Sequence, residues 1–90
     1  MSPQEIFRLL EEIVNDLAKL NNCPLRQLRE SDTPFDGKSG LDSLNALEAE
    51  AELANRLKLP AQAHQVSILH DPKVSIGEAA RQIAAAIGTP

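Results

Sequence analysis

Ile6, Leu9, Leu10, Ile13, Val14, Leu17 and Leu20 recur every three or four residues. That spacing lines one face of an α-helix and does not fit the two-residue alternation of a strand. Ser2 can cap such a helix, Pro3 suits its first position and Glu5 closes a capping box, so the pattern predicts a helix over 3–20 that ends at Asn21, Asn22 and Pro24. A helix with one apolar face must bury it against something. No other part of the chain alternates like a strand and no internal repeat is visible, so its partners must be further helices.

Three more segments supply them. Asp42 to about Lys58 reads as a second helix. At about 100° per residue, its Asn45, Glu48, Glu52, Asn55 and Arg56 gather in one polar arc. Leu44, Leu47, Ala51, Ala54 and Leu57, with Ala46 and Leu53, are expected on the core side, where Glu50 is the exception. Residues 62–70, QAHQVSILH, suggest a short helix with Val66, Ile68 and Leu69 turned inward, closed by Asp71 and Pro72. Ser75 and Glu78 form a second capping box before a last helix with Ile76, Ala80, Ile83 and Ile87 on one face, ending near Gly88. Residues 21–41, with Pro24, Pro34, Gly37 and Gly40, read as a loop long enough to be functional, in which Leu25 and Leu28 could share one helical turn and Phe35 is the anchor. The expected fold is an all-α four-helix bundle with a long first loop and a short third helix.

Ninety residues suit a single domain, 1–90, near the lower size limit for a core without disulfides or metals. With two Phe as the only aromatics, Ala, Leu and Ile must build that core. Cys23 has no partner for an internal disulfide, and no apolar run is long enough for a signal peptide or membrane span, which points to a reducing cytoplasm. The net charge is −4, and residues 1–20 and 42–58 each sum to −2. An acidic surface argues against nucleic acid, whose phosphates are met mainly by Lys and Arg, and favours partners with basic patches.

The stretch GLDSLNALE, residues 40–48, sets Ser43 in the first turn of the second helix. Unpaired N–H groups and the positive end of the helix dipole favour a phosphodiester there. Asp42 can cap the helix and leave the Ser43 hydroxyl free, Leu44 is expected to point inward and fix the turn, and Gly40 lets the loop approach closely. The bland alternative is a serine that merely occupies a first turn, where serines are common.

In these residues the chain resembles the acyl carrier protein family, whose attachment motif is D-S-L at the start of the second helix. TPFDGKSGLDSLNALE at 33–48 is similar to the family's loop-to-helix segment, Leu57, Leu59 and Pro60 to the end of its second helix, and VSIGEAARQI at 74–83 to the start of its last. The resemblance implies a monomeric, non-catalytic carrier whose Ser43 receives 4′-phosphopantetheine from coenzyme A through a separate, Mg²⁺-dependent phosphopantetheinyl transferase. Acyl groups would ride as thioesters on the arm. Asp42 and Leu44 would present the serine, and Glu48 and Glu52 would meet basic patches on acyl-loading and acyl-processing enzymes. Fatty-acid, lipid or polyketide-type biosynthesis is the implied setting. Peptidyl or aminoacyl cargo, and an unmodified helical interaction module, are the alternatives.

Three departures point to a specialised carrier. Glu50, within AEAELANRL, stands where the family has an aliphatic residue. Pointing inward it would polarise a sheltering cavity and disfavour long saturated chains, whereas at a gap between helices it would reach water. The segment from Pro60 to Ser75 is longer than usual, and Ser39 replaces an apolar loop residue. Ser43, His64 or His70, and Asp71 supply the residue types of a hydrolytic triad, but so small a bundle has little room for an oxyanion hole and pocket. The two histidines lack the companions of a metal site, and Cys23 lacks a neighbouring base.

Overall fold

A computed structural model of the chain describes residues 2–24, 27–38, 40–59 and 66–87. Its regular structure is three α-helices, α1 (Pro3–Leu20), α2 (Ser43–Arg56) and α3 (Ile76–Ile87), with no strand among the described residues. None of these helices is long and apolar enough to cross a membrane.

The first helix follows from its sequence almost residue by residue. Ser2 Oγ accepts from the Glu5 amide at 3.2 Å, and Glu5 Oε1 accepts from the Ser2 amide at 3.0 Å. The Ser2 amide, followed by its hydroxyl, holds the Glu5 carboxyl below its ordinary pKa. Ile6, Leu10, Ile13, Val14, Leu17 and Ala18 form the buried face. At the other end Asn22 adopts a left-handed conformation (φ 57°), which lets the Cys23 amide reach the Ala18 carbonyl at 2.8 Å and close a Schellman turn. Leu20, expected on the apolar face, lies past the covered stretch and is exposed.

The loop after α1 is tied down at several points. Glu11 accepts from the Leu28 amide at 2.8 Å, and Leu28, Phe35 and Leu41 are buried. The carbonyls of Asp32 and Glu30 accept from the first amides of α3, Ile76 and Gly77, at 2.8 and 2.9 Å. A loop thus satisfies the donors that a helix start leaves unpaired. Residues 27–29 are not helical, and Leu25 lies outside the described residues.

The second helix has the expected limits but is rotated about its axis from the expected setting. Its buried residues are Asn45, Ala46, Ala49, Glu50, Leu53 and Ala54, whereas Leu44, Leu47 and Ala51 face solvent. The physical reason is that both buried polar residues find partners, described below, and three small alanines let the helix approach closely. The helix closes on Lys58, which is left-handed at φ 60°, with the Leu59 amide bonded to the Ala54 carbonyl at 2.8 Å.

Residues 66–70 run in turns rather than in an α-helix, with Val66 and Leu69 buried and Ile68 half-buried. The rest of the expected short helix, 62–65 with His64, lies outside the described residues. In α3, Ser75 Oγ accepts from the Glu78 amide at 3.2 Å, but the Glu78 carboxylate turns to Arg81 and Gln82 instead of completing the box. Helix α1 packs most extensively on α3 and less so on α2, while the backbones of α2 and α3 make no close approach. Val66 and Leu69 join residues of all three helices in one apolar core.

Candidate functional site

Local hydrogen bonds at the start of α2 decide what Ser43 is free to do. Asp42 is extended and caps the helix, with Oδ1 accepting from the amides of Leu44 at 3.0 Å and Asn45 at 3.2 Å. Asn45 returns the bond, its Oδ1 accepting from the Asp42 amide at 3.0 Å, and its Nδ2 donates to Glu48 Oε1 at 3.1 Å. Asn45, expected in the solvated arc, is therefore buried because its amide links the cap to the next turn. Ser43 occupies the first helical position, exposed and outside the capping box.

The flanks of Ser43 are fixed from below. Leu41, just before the cap, and Ala46, four positions into the helix, are both buried, the arrangement of a hydrophobic staple. The apolar residue before Asp42 was the sequence signal for it. Gly40 has φ +97°, the left-handed region that favours glycine, and a Cβ there would meet Cys23 Sγ at 2.5 Å unless that side chain turned away.

Two expectations at this site are corrected. Leu44 does not point inward: it is 68% exposed, because the staple pair already anchors the turn. The amides of Leu44 and Asn45 are not open to a phosphodiester, since Asp42 fills both. What remains for an ester on Ser43 is its own amide and the dipole of the helix.

With Leu44 outward, the solvent face of α2 becomes mixed. Leu47 (50% exposed), Ala51, Leu44, Asn55, Glu48 and Glu52 follow one another around an arc of about 140° that begins beside Ser43. Exposed leucines thus lie beside carboxylates on this face. At the far end Arg56 bonds Glu52 at 3.0 Å and Asp16 at 3.2 Å and lies 3.7 Å from Glu12, tying α2 to α1. The Glu52 hydrogen bond is the main cause of its raised pKa, with burial opposing.

Glu50 and His70 make a second polar cluster. Glu50 is 7% exposed, and its Oε2 accepts from the His70 backbone amide at 3.0 Å and from the ring at 2.8 Å. A carboxylate only accepts, which assigns the ring hydrogen to Nδ1. Of the two settings expected for Glu50, the structure has the inward one, relieved by a partner that sequence spacing could not reveal. The triad types with His70 are not assembled among the described residues: His70 turns to Glu50, Asp71 accepts from the Lys73 amide, and His64 lies outside the described residues. Among the described residues no group of three or more His, Cys, Asp or Glu could hold a metal ion.

Comparison with known protein families, with curated proteins and with solved structures gives no match for this chain.

Proposed function

We propose that this chain is an acyl carrier protein in which Ser43 bears 4′-phosphopantetheine, transferred from coenzyme A by a Mg²⁺-dependent phosphopantetheinyl transferase. The observation that carries the reading is the division of labour at the helix start: Asp42 takes the capping role, which leaves the Ser43 hydroxyl exposed on a rigid, stapled turn. The motif resemblance around 33–48 supplies the chemistry. Leu44 and Leu47 beside Glu48 and Glu52 then form the face that the transferase and acyl-processing enzymes with basic patches would meet. Acidic steering of that kind speeds encounter and weakens with salt.

The finer readings belong to the same proposal. They are a monomeric, non-catalytic carrier in the cytoplasm, a four-helix bundle, and a place in fatty-acid, lipid or polyketide-type biosynthesis. The exposed leucines also suit an unmodified interaction module. Intact mass before and after incubation with coenzyme A, Mg²⁺ and a broad-specificity transferase separates the two. The carrier gains one phosphopantetheine, or carries it from the start, and Ser43→Ala gains none. A wild type that neither carries the group at the start nor gains it, under conditions that modify a control carrier, refutes the carrier reading.

A further inference from the structure

We infer that the Glu50–His70 pair bars long apolar acyl chains from the core, so that the cargo is a short or polar acyl group held outside the bundle. The inference rests on the carrier reading of Ser43.

An alkyl chain tethered at Ser43 would have to find shelter from water along a flank of α2. One flank of α2 is packed on α1 and is clamped there by Arg56. On its other flank α2 makes no close backbone approach to α3, and the turns at 66–70 reach it through His70. Among the described residues, no helix backbone packs closely on this second flank.

Glu50 guards that flank. It lies two turns along α2 from Ser43, roughly 10 Å of helix axis. Its helical neighbours at i−4, i+3 and i+4 are Ala46, Leu53 and Ala54, all buried. Methylenes threaded beneath the turns would displace His70 and leave a buried carboxylate without its partners, or would lie directly against the charged group. Either way much of the gain from sheltering the alkyl chain is cancelled. A short acyl group has little apolar surface to hide, and a polar one has little reason to leave water.

The test loads the protein with acetyl, butyryl, hexanoyl, octanoyl and decanoyl phosphopantetheine from the corresponding acyl-coenzymes A. Intact mass verifies each product, and thermal melting follows it. In the wild type the melting midpoint should move by less than about 2 °C across the series. In Glu50→Leu/His70→Leu, where the pair becomes apolar, it should rise with chain length by about 5 °C or more, as expected for a ligand bound only by the folded state. A wild-type midpoint that climbs with chain length overturns the inference while leaving the carrier intact. Should the double variant fold poorly, the wild-type series decides alone, because a flat series upholds the inference and a rising one overturns it. Failure of Ser43, shown by mass to be unmodified at the start, to gain any mass beside a control carrier that does overturns the carrier reading and this inference with it.

Discussion

Gly77→Ala is the substitution whose cost can be worked most directly from the structure. A Cβ at residue 77 would stand 2.5 Å from Glu30 Cβ, 2.8 Å from Glu30 O and 2.9 Å from Glu30 Cα. Two of these are backbone atoms that cannot swing away, so the loop must lift from α3. Overpacking of this kind costs about 1–3 kcal/mol. Lifting also weakens the bonds from Ile76 to Asp32 and from Gly77 to Glu30, about 1 kcal/mol each if lost. Against this, alanine is favoured over glycine within a helix by up to about 1 kcal/mol. The balance is a loss of about 2 kcal/mol, which for a domain of this size lowers the melting midpoint by roughly 8–16 °C. Thermal and urea unfolding followed by circular dichroism measures it. Glu30→Gly in the same chain should recover only part of the loss, because the carbonyl oxygen and Cα remain. A Gly77→Ala protein as stable as the wild type would refute the seating of the loop on α3.

Asp42→Ala should cost about 1 kcal/mol by removing the cap of α2, with Asp42→Asn retaining most of it; equal urea midpoints for all three would contradict the capping geometry. Lys58→Gly should raise stability by about 0.5–1 kcal/mol, since the left-handed conformation strains a lysine and not a glycine, and a lowered urea midpoint would count against it. Glu5 has a folded-state pKa below its unfolded value, so its contribution is present above the ordinary carboxylate range and is lost as pH falls through the folded value. NMR titration should place its midpoint below the ordinary range, and the pH response of the Ser2 amide should vanish in Glu5→Gln.

The legible parts of this fold are those in which local signals agree. In α1, apolar spacing, a capping box and Pro3 all mark the same helix, and it runs over the residues they mark. The limits of α2 and α3 were equally clear, as was the anchoring of the loop by Phe35. The rotation of α2 was not, because leucines and alanines are spread around most of its circumference and no single stripe dominates. What settles it is tertiary: His70 receives Glu50, and Asp42 and Glu48 between them engage the amide of Asn45. Once those polar groups are satisfied, burying them costs little, and Leu44 and Leu47 are left outside. At the site, Ser43 and the capping role of Asp42 could be read from the chain. The outward leucines and the staple at Leu41 depended on the rotation.

The unequal packing of α1 on α3 and on α2 has a dynamic consequence. Helices α1 and α3, drawn from distant parts of the sequence, form the larger interface, and α2 is laid upon α1 by a stripe of alanines with one buried leucine. Such a stripe hides less hydrocarbon than the leucine- and isoleucine-lined seam beside it, so α2 is the cheapest helix to detach while the other two stay together. Native-state amide exchange should therefore resolve two opening units, with α2 exchanging ahead of α1 and α3. Ser43 rides on the looser of the two.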